Sequence, residues 1–146
     1  MRPDDIKYTE THEWVRYSDK RKEAVIGITD FAVKQLSDLV HIDLPKAGDS
    51  LERGAPFGEI ESVKTVADLV APVSGKILEI NKEVVSDLDL LKEGPFAEGW
   101  LVKIKASDTK ELDGLMSRKE YEDFLESSKK EESKEDGDEV DEDDFV

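Results

Sequence analysis

Lys64 stands between two strand-like runs, Phe57–Glu61 and Thr65–Val70, with only Ser62 and Val63 separating it from the first. The full stretch reads Gly58-Glu59-Ile60-Glu61-Ser62-Val63-Lys64-Thr65-Val66-Ala67-Asp68-Leu69. Apolar alternation that breaks at a short polar turn and then resumes predicts a β-hairpin. Its tip would hold the amine clear of the sheet, where another enzyme can modify it. Few other side chains offer chemistry. There is no cysteine, so a thiolate nucleophile, a disulfide framework and a zinc–thiolate cluster are all excluded. Imidazole is limited to His12 and His41, too few for a His-based metal site. No nucleophile–base spacing suggests an independent hydrolase.

The elements that must position Lys64 are mostly short strands. His12–Tyr17 and Glu23–Ile28 pair across the polar turn Ser18-Asp19-Lys20-Arg21. Leu39–Leu44 follows and stops at Pro45, which lacks a ladder donor. Gly75 opens Lys76–Asn81, and Trp100–Lys105 alternates as a half-buried strand. Frequent Gly and Pro between these runs favour a β-sandwich or barrel. Three helical segments are expected. Thr29 caps one over Asp30–Leu36. Asp108-Thr109-Lys110-Glu111 and Ser117-Arg118-Lys119-Glu120 have capping-box spacing. The second box opens a helix with Tyr121, Phe124 and Leu125 on one face, which should pack back on the sheet. His12 and His41 read as structural hydrogen-bonding residues, and Trp14 and Trp100 as core or rim residues.

A chain of 146 residues suits one domain plus a tail. The net charge of −16 is concentrated at the C-terminal end. Residues 127–146 carry ten acidic side chains against Lys129, Lys130 and Lys134, a net of −7. That leaves −9 for the remainder, so both parts repel phosphate backbones and nucleic acid is excluded as a partner. The expected division is a domain over 1–126 and an acidic, disordered tail over 127–146. No run is long enough to span a membrane, and the first residues lack a signal core. The chain therefore reads as cytoplasmic.

Six blocks in order resemble the glycine cleavage system H-protein family. They are Tyr8–Val15, Val25–Ala32, Leu36–Pro45, Glu61–Lys64 running on to Ala71-Pro72-Val73-Ser74-Gly75, Gly99–Lys105 and Lys119-Glu120-Tyr121. The resemblance covers roughly residues 6–126. It implies a mainly β fold, a lipoyl-domain-like β-sandwich (barrel-sandwich hybrid) with short flanking helices and a C-terminal helix. It also implies a carrier rather than an enzyme, with lipoic acid joined as an amide to Lys64. Biotin is disfavoured, because its carriers flank the lysine with methionines and here the neighbours are Val63 and Thr65.

The partners implied are glycine decarboxylase, which loads an aminomethyl group on the arm, and aminomethyltransferase, which removes it. Dihydrolipoamide dehydrogenase would reoxidise the dithiol, and a lipoate-attaching enzyme would install the arm. By the same resemblance, Glu61 and Gly75 mark Lys64 for attachment. A glycine can form a tight turn near the tip, and a carboxylate can be read by a basic site. Thr11, Glu13 and Asp68 would line a cleft that shelters the loaded, cationic arm. The plainer readings are a turn glycine at Gly75, a solvated strand residue at Glu61, and surface acids at Glu13 and Asp68. Two functional alternatives stay open: a related lipoate carrier in lipoyl relay or sulfur metabolism, and an unmodified interaction module. The chain departs from the family pattern over Val84–Lys92 and at Phe96-Ala97. Both are expected to lie in a loop that affects partners rather than the fold.

Overall fold

The computed structural model describes residues 6–136. Nine strands form two antiparallel sheets. The larger sheet contains β1 (Ile6–Tyr8), β2 (Glu13–Ser18), β3 (Glu23–Ile28), β5 (Ser50–Leu51), β8 (Gly75–Ile80) and β9 (Val102–Ala106), in the order β1-β2-β3-β9-β8-β5. The smaller contains β4 (Leu39–Asp43), β6 (Pro56–Ser62) and β7 (Val66–Val70), in the order β4-β6-β7. The two sheets pack face to face as the expected sandwich. Ile26, Ile77 and Ile104 come from the larger sheet and meet Ile42, Ile60 and Leu69 from the smaller in one buried core. The strands read from alternation match these elements closely. The two-residue β5 and three-residue β1 are too short to leave a periodic signal.

Helix α1 (Asp30–Leu36) starts where expected, with the Thr29 hydroxyl accepting from Ala32 N. The Ser117–Glu120 box is also formed: Ser117 N donates to the Glu120 carboxylate and Glu120 N to the Ser117 hydroxyl. It opens α4 (Arg118–Asp136), whose Tyr121 is buried against Tyr8, Trp14 and Ile6. This helix continues ten residues past Glu126, the expected end of the ordered domain. Lysine and glutamate are good helix formers, so the backbone can stay helical after the apolar pattern has stopped. The remaining tail residues, 137–146, lie outside the described residues.

Two expectations are corrected. The Asp108–Glu111 box does not open an α-helix but a 3-10 turn over Thr109–Gly114. Glu111 is diverted from its own turn and accepts instead from Ser74 N and the Ser74 hydroxyl, at 2.6 and 3.0 Å. Val84–Lys92 is not a loop. It folds into α2 (Lys82–Ser86) and α3 (Asp89–Glu93), because Val84 and Leu91 are fully buried and tie the segment to the core. Asn81 caps α2 and also donates to the carbonyls of Glu98 and Trp100. The departure from the family pattern therefore touches packed structure. Replacing Leu91 with Ala should remove about 2–5 kcal/mol of unfolding free energy, read as a lower urea midpoint. An exposed segment would lose almost nothing.

Candidate functional site

Antiparallel pairing of β6 with β7 brings Glu61 opposite Val66, leaving Ser62-Val63-Lys64-Thr65 as the connection. Val63 and Lys64 are the two loop residues. Neither adopts the left-handed backbone that two-residue hairpins favour, because a β-branched Val63 resists it. Side-chain and neighbouring-strand contacts hold the turn instead. Buried Ser62 donates through its own N–H to Thr65 O at 2.8 Å and accepts Thr65 N at its hydroxyl at 3.2 Å. Val63 N donates to Asp38 O at 2.9 Å, tying the tip to the residue before β4. Lys64 is exposed and has no hydrogen bond or ion pair among the described residues. A fixed backbone thus presents an uncommitted primary amine.

Strand β7 leads away from this tip. Val66, Asp68 and Val70 share one face by the two-residue period, and Val66 and Asp68 are exposed. From Val66 to Val70 the strand covers roughly 13 Å at its usual rise. At its far end lies an open cavity of ≈ 390 Å³, lined by Thr9, Thr11, Val70, Pro72, Arg53 and Met116 among others.

Glu13 sits beneath that cavity and is no surface acid, being only 1 % exposed. The Thr9 hydroxyl donates to its Oε1 at 3.0 Å, and the Thr11 hydroxyl donates to the same atom. Val70 N, from the opposite sheet, donates to its Oε2 at 3.1 Å. Burial raises the Glu13 pKa, and the three donors pull against that rise. The structure therefore brings Thr11 and Glu13 together and joins them to β7. It does not bring Asp68 into hydrogen-bond contact with either; Asp68 stays exposed two residues before Val70.

The loop that carries Thr11 and leads into Glu13 at the start of β2 is shaped by His12, which takes a left-handed φ of 73° and donates its N–H to Thr9 O. Its Nδ1 lies 2.8 Å from the Tyr121 hydroxyl, which also bonds the Thr29 hydroxyl at 2.8 Å. Burial lowers the His12 pKa and pushes the Tyr121 phenol up to about 12, so both groups stay neutral near pH 7. His12 is therefore a structural hydrogen-bonding residue, as read from sequence. His41 is exposed and bonds Asp43 at 2.9 Å. Trp14 is fully buried and donates to Pro95 O, while Trp100 is half-buried.

Gly75 is corrected in its reason. It is not a turn residue near the tip: its φ is not left-handed, and it begins β8 beyond the far end of β7. A Cβ there would lie 2.3 Å from Lys105 O, so glycine is required for β8 to lie close against β9. Glu61 is exposed on β6, between His41 and Val66 on the neighbouring strands. The contributions of Thr9, Ser62 and Tyr121 were not read from sequence. The Thr9-x-Thr11-x-Glu13 alternation offered a local signal for the first. A partner 109 residues away offered none for Tyr121.

A family model described as "Glycine cleavage H-protein" matches residues 6–128. The chain belongs to the glycine cleavage H-protein family. It is similar to the glycine cleavage system H protein of Carboxydothermus hydrogenoformans, 47% identical over 124 residues covering 85% of this chain and 94% of that protein. The H protein of Anaeromyxobacter sp. strain K is 44% identical over 85% of this chain and 95% of its own length. Among solved structures, a glycine cleavage system H protein from Mycobacterium marinum superposes with a TM-score of 0.75 at 36% identity, covering 82% of this chain and 95% of that one. Members of this family are carriers rather than catalysts. No helix among the described residues is long and apolar enough to cross a membrane.

Two outcomes follow for the H-protein fold. Removing the Tyr121 hydroxyl in Tyr121→Phe leaves His12 and Thr29 short of a partner. It should cost about 1–3 kcal/mol and speed amide exchange at Thr29, whose N–H donates to His12 O. For Glu13, a folded pKa raised by burial above the ordinary carboxylate range means that its contribution to stability is fully present below that range. That contribution is lost as pH rises through the folded pKa. Urea midpoints measured across this range should show a fall with rising pH that is smaller in Glu13→Gln.

Proposed function

We propose that the chain is the lipoylated carrier of the glycine cleavage system, with Lys64 as the attachment residue. The observation that supports this most directly is the exposed amine, unpaired among the described residues, on a turn held by Ser62 and Asp38. Family membership supplies the cofactor, and the residues present fit it. Acylation needs an accessible amine, and Val63 and Thr65 beside it are exposed too. When bound, lipoate supplies a dithiolane whose sulfurs accept a one-carbon group and undergo oxidation and reduction.

The protein's own part is to present, guide and shelter. Ser62 and the Asp38 carbonyl fix where the amine emerges. Val66, Asp68 and Val70 form a path along β7 to the cavity beside Thr11. Asp68 and the Thr11 hydroxyl offer acceptors to a carried ammonium. Glu13 acts mainly by holding Thr11 and Val70 in place, since its oxygens already accept three donors. Glu61 is the carboxylate near the tip that an attaching enzyme can read. Gly75 serves the same process indirectly, by letting β8 close against β9. The partners under this reading are glycine decarboxylase, aminomethyltransferase, dihydrolipoamide dehydrogenase and the lipoate-attaching enzyme. The carrier unit is residues 1–126, with acidic 127–146 as an appendage, in keeping with a family match that ends at residue 128.

Incubation with a lipoate-attaching enzyme and activated lipoate should add one lipoyl group by intact mass, and Lys64→Arg should add none. Glycine decarboxylation with the purified partners should then depend on the modified protein. A protein that acquires the arm yet accepts no aminomethyl group would sink the glycine reading. Asp68→Asn should fold and be modified normally but turn over more slowly with glycine decarboxylase.

A further inference from the structure

Five large hydrophobic side chains remain exposed among the described residues, and three of them gather around Lys64: Val63 at 75 %, Val66 at 55 % and Val40 at 54 %. Val63 precedes the lysine and Val66 begins β7. Val40 arrives from β4, which places two residues, Val40 and His41, against a single step of β6 between Ser62 and Glu61. This is a β-bulge, and bulges beside functional sites re-aim side chains. The Val63 N–H to Asp38 O bond draws the start of β4 up to the turn, so the valines belong to one rigid sheet end.

The outward face of the same sheet is acidic. Asp43, Glu59 and Asp68 stand directly opposite one another across its three strands, and all three are exposed. Directly opposed like charges destabilise a sheet. Asp43 hydrogen-bonds His41, but Glu59, Glu61 and Asp68 have no salt-bridge partner among the described residues. Apolar side chains at the tip above an unrelieved carboxylate row suit a partner with the opposite arrangement.

We infer that Val40, Val63 and Val66 form the docking face for the enzyme that acylates Lys64, and that this enzyme meets them with an apolar depression rimmed by lysine or arginine. The inference rests on the carrier reading and names the partner of that site. Reach selects this partner over the others. To form the amide, Lys64 Nζ must attack the carbonyl carbon of an activated lipoyl ester. The new C–N bond replaces the bond to the leaving group, which departs with its electron pair, and the ammonium gives up two protons. The acylating enzyme must therefore close over the lysine and touch its neighbours. Enzymes that act at the far end of an installed arm are held off by its length.

The test uses the full unmodified chain and a purified lipoate-attaching enzyme, following modification by intact mass. Val40→Ser should lower kcat/KM about tenfold through KM, as expected for truncating an interface anchor. Glu59→Gln should also lower it at low salt, with the difference shrinking as salt rises, while Tm stays equal or increases. Val85→Ser, an exposed valine on α2, should be modified at the parent rate. If the parent protein is modified but Val40→Ser and Glu59→Gln match it, the docking face is wrong and the carrier reading stands. Variants that are modified normally yet falter with glycine decarboxylase would assign the face elsewhere and overturn the inference. A parent protein that is never modified would overturn the carrier reading and this inference together.

Discussion

Glu13 is the one buried carboxylate among the described residues, and it hydrogen-bonds from one sheet to the other. Its backbone belongs to β2 of the larger sheet, and its Oε2 accepts from Val70 of β7 in the smaller. Apolar contact alone would let two sheets slide over one another; a directional bond between them sets their offset. Burying an ion is costly unless donors compensate, and Thr9, Thr11 and Val70 provide them. The cavity at the end of β7 is built around this anchor. Glu13 is thus a structural link between the sheets, while Asp68 stays exposed on β7.

The site depends on combining a fixed base with an unrestrained reactive end. Ser62, Thr65 and Asp38 lock the turn, while Lys64 is exposed with no hydrogen-bond or ion-pair partner among the described residues. At the opposite pole, α4 reaches the same functional region through one phenol. Tyr121 stacks on Tyr8 at 4.7 Å and bonds both His12 and Thr29, so a single side chain joins the C-terminal helix, the cap of α1 and the loop before β2.

What was legible depended on the range of the interactions. Thr29 and the Ser117–Glu120 pair were readable because a cap lies within four residues of what it satisfies. The same rule failed at Asp108–Glu111, where Ser74, far off in sequence, offered Glu111 two donors. The α2–α3 segment looked like a loop because neither helix exceeds five residues, too short for a helical period to show. Its Asn81 cap was a usable local signal that the departure from the family pattern obscured.

The sequence by itself determined the strand pattern, the hairpin around Lys64 and, through ordered blocks, the family. Alternation and turn chemistry are local, so they survive without coordinates. Only the tertiary structure decided what the neighbouring residues do. It buried Glu13 and exposed Asp68, although both read as surface acids in the sequence. It turned Gly75 from a turn residue into a point of close strand approach. It also carried Val40 to the tip of a hairpin in which it takes no part. The physical reason is common to all three: burial, steric clearance and cross-strand register are set by elements distant in the chain.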